Sequence, residues 1–69
     1  MDTIVLAKCW TLDDGTVCVL SKIGHEIWEV RVSRGPRLMR VETFNDLGIA
    51  VSSATAWRVH FMHPLEDIA

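Results

Sequence analysis

The sequence predicts an α+β domain: a four-stranded antiparallel β-meander followed by one C-terminal amphipathic helix packed on one sheet face. Three observations carry this expectation. Branched and aromatic residues alternate with polar ones through residue 43. Clusters of Asp, Gly, Pro and Asn divide that stretch at hairpin spacing. From residue 47 onward the apolar residues recur instead at three- and four-residue steps.

The first strand is expected over about 4–12, because Ile4 to Leu12 is rich in branched and aromatic side chains and runs into Asp13-Asp14-Gly15. The second follows over 16–23. Asp-Gly suits a two-residue turn, which sets Cys18 opposite Thr11; Asp-Asp-Gly suits a turn closed by a glycine bulge, which sets Cys9 opposite Val19. Only a loop of Asp13 and Asp14 alone places Cys9 across from Cys18, so free buried thiols are the expectation.

Gly24-His25 marks the next reversal, and the third strand is expected over 26–33, with Trp28, Val30 and Val32 on one face. Arg34-Gly35-Pro36-Arg37 reads as a loop and 37–43 as the fourth strand, with Met39 and Val41 on one face and Arg40 and Glu42 on the other. If that loop closes the hairpin, Ser33 pairs with Leu38, and Val32, Val30 and Trp28 meet Met39, Val41 and Thr43. The same register sets Arg31 opposite Arg40 and Glu29 opposite Glu42.

A helix is expected over about 46–61, with Asn45 as N-cap, Asp46 at the positive end of the dipole, and Phe44 and Ile49 as a hydrophobic staple. Leu47, Ala50, Val51, Ala54, Trp57 and Phe61 form its apolar stripe. Residues 57–62 also alternate as a fifth strand would, but the helical rhythm runs through them. Pro64 cannot continue a helix, so 62–69 reads as an irregular tail.

The chain has 69 residues, enough for one domain over 1–69. Its 49% apolar and 23% charged residues exclude a disordered chain, and a net charge of −2 supplies no global field for a polyanion. Asp2 precedes the short apolar run Ile4-Val5-Leu6-Ala7, which fits neither a signal peptide nor a membrane span; a cytoplasmic protein is expected.

A single helix shields only one sheet face, yet the first strand is apolar on both, with Ile4, Leu6, Trp10 and Leu12 against Val5, Ala7 and Cys9. Either the tail folds back with Leu65 and Ile68, or a second copy covers the bare side. A homodimer is the expectation for so small a core.

Arg31, Arg34, Arg37 and Arg40 crowd one hairpin and make a candidate nucleic-acid or anion site, since guanidinium groups bind phosphate bidentately. Carboxylates on the same strands compensate them, leaving Arg34 and Arg37 at the loop tip as the least paired. Trp28 and Trp57 are read as core aromatics and Trp10 is left unassigned, although exposed tryptophans would stack on bases.

His60 and His63 with a cysteine would be a bare start for a zinc site, but neither Cys-x-x-Cys nor His-Glu-x-x-His is present, and no metal or cofactor is expected. No glycine-rich phosphate loop and no catalytic residue stand out, so the protein is read as non-enzymatic.

In element order alone, this arrangement is similar to the transcription-coactivator and Whirly-type single-strand-binding domains, whose resemblance implies a dimer. No motif carries their binding residues over. Two functions are therefore expected: a homodimeric protein-interaction or regulatory module, or a small nucleic-acid-binding domain using the arginine hairpin.

Overall fold

Alternation and turn chemistry produce the expected meander. The structure, a computed structural model, describes residues 3–62. Strands β1 (Ile4–Thr11), β2 (Thr16–Gly24), β3 (Ile27–Arg34) and β4 (Arg37–Phe44) pair antiparallel in chain order, and helix α1 (Leu47–Met62) packs across one face. Residues 57–62 are helical, as the three-and-four rhythm requires. Of the expected tail, only Met62 is described, and it closes the helix; residues 63–69, and with them the idea of a tail folded over the sheet, lie outside the described residues.

The first turn takes the three-residue form. Gly15 N–H donates to the Leu12 carbonyl at 3.1 Å, Leu12 N–H donates to the Thr16 carbonyl at 2.8 Å, and Gly15 sits at φ 91°, where a side chain would be strained. The Asp14 carboxylate accepts from Thr16 N–H at 2.9 Å and fixes the exit of the loop. In the second turn Gly24 pairs with Ile27, and Glu26 occupies left-handed space at φ 53°. Gly35 and Pro36 make the third.

Two expected registers are corrected by bulges. In β1 the ladder slips at Leu6 and again at Cys9, so Lys8 rather than Cys9 lies opposite Val19, and Trp10 lies opposite Cys18. In β4 Ser33 pairs with Leu38 as expected, but a bulge at Met39 then sets Val32, Val30 and Trp28 against Arg40, Glu42 and Phe44. Arg31 consequently faces Val41 and Glu29 faces Thr43, not Arg40 and Glu42. A one-residue slip exchanges the faces of everything beyond it. Here it moves Phe44 to the helix side, its ring 6.4 Å from that of Trp57, in place of the smaller Val41 and Thr43.

The core lies between the central strands and α1: Cys18, Leu20, Val30 and Val32 from the sheet meet Ala50, Ala54 and Trp57 from the helix. Complete burial of Val30 and Val32 stabilises by about 1.5–3 kcal/mol each. Alanines at the contact let the helix sit close to the sheet. Trp10 Nε1 donates to the Ala54 carbonyl at 2.7 Å, a buried bond between β1 and the middle of α1.

The helix starts one residue later than expected. Asp46, not Asn45, is the N-cap: its carboxylate accepts from Ile49 N–H at 2.9 Å and its carbonyl from Ala50 N–H at 3.0 Å. The carboxylate adds a charge at the positive end of the helix dipole, which an amide in Asn45 does not. The Phe44–Ile49 staple does not form, because Phe44 stays in β4 and Ile49 is exposed. The buried stripe is also narrower than expected, with Leu47 and Val51 exposed.

Candidate interaction surface

The register sorts the side chains into a covered and an uncovered face. On the uncovered one, Lys8, Val19, Arg31 and Val41 form the middle row across the four strands. Val5, Ser21, Glu29 and Thr43 form a second row, and Thr11, Val17, Ser33 and Leu38 a third. Apolar and hydroxyl side chains dominate. The charges are Lys8 and an ion pair in which Arg31 Nε lies 3.2 Å from Glu29.

This surface is hollow near its centre. A depression of about 400 Å³ is lined by Thr3, Val5, Val19, Ser21, Glu29 and Arg31. Its wall includes Glu29, whose side chain is only 17% exposed. Val5, Leu38 and Val41 stand exposed around and beyond it. Nothing of α1 reaches this side, since the helix lies across the opposite face.

The four arginines are dispersed rather than gathered. Arg31 lies on the uncovered face with Glu29. Arg34 donates to the Asp14 carboxylate at 3.2 Å, which joins the first and third turns. Arg40, moved to the helix side by the bulge, donates to Glu42 at 3.0 and 2.6 Å and stacks 4.0 Å from the centre of the Trp57 ring. Arg37 has no ion pair among the described residues. Arg34 and Arg37 face each other across the hairpin end.

The aromatics divide similarly. Trp57 and Trp10 are buried, while Trp28 is half-buried with the Lys22 ammonium 5.9 Å from its ring centre. Cys18 is completely buried but Cys9 is exposed, which corrects the expectation of two buried thiols; the bulge at Cys9 lifts it out of the ladder. Burial, followed by the neighbouring Cys9, pushes the Cys18 thiol up to about 12.

A second groove, of about 350 Å³, runs between the first turn and the end of α1 and is lined by Thr11, Asp13, Asp14, Arg58 and Phe61. Its charged groups are two carboxylates and one guanidinium, with no nucleophile beside a base. Among the described residues no group of three metal-ligating side chains converges, and no helix is long and apolar enough to cross a membrane.

Sequence reasoning misplaced β4 on this surface and therefore missed Val41 and Thr43 as part of it. The signal that pointed to the uncovered face was the single helix beside a first strand apolar on both sides. The chain matches no family model, no curated protein and no solved structure.

Proposed function

We propose that the protein is a small non-enzymatic interaction module that works as a homodimer through the uncovered face of its sheet. The observation that carries this reading is a four-stranded sheet covered on one side only among the described residues, whose other side is apolar and hydroxyl-rich around one ion pair, with Lys8 on the edge strand. Interface cores are depleted of charge, and Lys8, the charge of this face outside the ion pair, stands on edge strand β1, where an interface has its polar rim.

The occupant we favour is a second copy. Four strands about 4.8 Å apart and eight residues long at about 3.3 Å per residue present about 500 Å² in plan. The accessible surface of a corrugated face is larger, and approaches the ~800 Å² per partner of a standard interface. Two sheets stacked about 10 Å apart would drop Val41 or Leu38 of one chain into the hollow of the other.

Dispersal of the four arginines over both faces and a turn weighs against a single phosphate-binding site. Sedimentation equilibrium tests the proposal. We expect a mass of two chains at micromolar concentration, and a mass of one chain for Val19→Glu with an unchanged circular dichroism spectrum. One chain at every concentration, or dissociation by Ile49→Glu and Val59→Glu on the helix instead, would overturn it. Oligonucleotide binding that weakens with salt and disappears in Arg34→Ala/Arg37→Ala would favour nucleic-acid recognition in its place.

A further inference from the structure

The two cysteines are distant from the proposed dimer face in their chemistry, and the bulge in β1 gives them a relation that simple alternation would not. Lys8 pairs with Val19 and Trp10 with Cys18, so Cys9 is the extra residue in the ladder. In a bulge, two residues of one strand oppose a single residue of its neighbour. Cys9 and Trp10 together oppose Cys18. Cys18 lies at the bottom of the core, beneath α1, whereas Cys9 is open to solvent.

We propose that Cys9 and Cys18 form a reversible dithiol–disulfide pair, closed by low-molecular-weight disulfides of the glutathione class, which ties β1 to β2 beneath the helix. The exposed sulfur reacts first. The Cys9 thiolate attacks one sulfur of the external disulfide, that S–S bond breaks, and one external thiolate leaves and takes up the proton that Cys9 has lost. The Cys18 sulfur then attacks the Cys9 sulfur, the mixed S–S bond breaks, and the second external thiolate leaves and takes up the Cys18 proton. In sum the external disulfide gains two electrons and becomes two thiols, and the protein loses two hydrogens.

The environments of the two sulfurs assign these roles. Cys9 stands opposite Cys18 in the bulge, and burial first, then this neighbour, hold the Cys18 thiol in its protonated form. Cys18 is therefore shielded from external reagents, and its raised thiol makes the second exchange the slow step, drawn forward by the Cys9 mixed disulfide held opposite it in the ladder. Trp10, next to Cys9 and hydrogen-bonded to Ala54, is positioned to report closure through its fluorescence, because disulfides quench nearby indoles.

Equilibrating the full-length protein with reduced and oxidised glutathione, followed by intact-mass measurement and non-reducing peptide mapping, tests this. The expected product is one chain lighter by two hydrogens, with Cys9 linked to Cys18 and Trp10 emission reduced. Its closure constant should be at least about tenfold larger in the native protein than in urea, because the fold holds the sulfurs together. Cys18→Ala should retain glutathione on Cys9, and native Cys9→Ser should take up none. A persistent adduct on Cys9 of the unaltered chain, chains crosslinked through Cys9, or closure no more favourable in the folded state than in urea would each overturn the proposal. All three are read without reference to whether the chain dimerises through its sheet.

Discussion

The centre and the edges of the sheet obey different rules. The β2–β3 ladder runs without a slip through seven consecutive pairs, from Thr16 and Arg34 to Lys22 and Trp28. Each edge strand, by contrast, is interrupted: β1 at Leu6 and Cys9, and β4 at Met39. Central strands are constrained from both sides by neighbouring strands, and on one face by the helix. Edge strands have one neighbour, so an extra residue costs only local hydrogen bonds. One of these three interruptions brings an aromatic residue next to the helix, Phe44 in β4, whereas Trp10 lies on the turn side of the Cys9 bulge and takes its place opposite Cys18 from the first turn. The Met39 bulge thus helps to fill the core, and all three make the free edges poorer templates for stray strand pairing.

If that is right, the largest effect of any edge substitution belongs to Trp10. Trp10→Ala removes the indole from the core and the hydrogen bond to Ala54, and should cost about 3–5 kcal/mol, enough to unfold a domain of this size at room temperature. Urea denaturation followed by circular dichroism measures it. Trp10→Phe keeps most of the ring and should cost about 1–2 kcal/mol. Leu6→Ala, at the other β1 bulge, removes a side chain that is 47% exposed and should change stability by less than about 0.5 kcal/mol. Equal losses at the two positions would mean that the β1 edge as a whole, and not the buried aromatic on it, is what matters.

A smaller effect is expected at Arg40. Its guanidinium lies over Trp57 and holds Glu42, but the pair is more than a third exposed, so solvent screens it. Arg40→Ala should cost about 1 kcal/mol, most of it from the ring contact and the buried stem of the side chain. Arg31→Ala, in the ion pair on the uncovered face, should leave the folding free energy of the single chain within about 0.5 kcal/mol. The contrast places one arginine in the architecture and the other on a surface.

How much of this could be read beforehand follows from the same division. Trp28, Val30 and Val32 announce a central strand because apolar and polar residues alternate across it without error, and a central strand has no freedom to slip. Leu47 to Phe61 announce a helix by their spacing, even where the last residues also alternate. The bulges at Cys9 and Met39 have no comparable signature, since inserting one residue leaves composition untouched while inverting every face beyond it. Arg40 and Glu42 were therefore assigned to the wrong side, and Val41 with them. The helix cap moved by one residue because Asn45 and Asp46 are both good caps and only tertiary placement of Phe44 decides between them. The uncovered face was foreseen from the single helix; which residues of β4 line it was not.

Turns join the edges to the centre, and the effect expected there is no larger than that at Arg40. Glu26 holds φ 53° in the turn between β2 and β3, a conformation that costs a residue with a Cβ about 1 kcal/mol or more. Its contact with His25, at 3.2 Å, lies between two highly exposed side chains and offsets little of that. Glu26→Gly should stabilise the protein by about 0.5–1 kcal/mol and raise its thermal midpoint by several degrees. A loss of stability would show that the turn relies on the Glu26 side chain.

The weakest expected effect lies at Asp14, where the first turn meets the third. The Thr16 hydrogen bonds, and then Arg34, hold its carboxyl below the ordinary 3.8. A carboxyl whose folded-state value is depressed favours the folded state while ionised. That contribution is present above 3.8 and fades as pH falls through the lower, folded-state value. Asp14→Asn should accordingly be less stable than the parent at neutral pH, and the two should converge in strongly acidic solution. Urea midpoints measured from neutral pH down to about 2 check this, and Arg34→Ala should remove part of the difference, because the ion pair that links the two turns is then absent. Parallel acid limbs for parent and Asp14→Asn would mean that the link between edge and centre at this end of the sheet is made by Gly15 and the backbone alone.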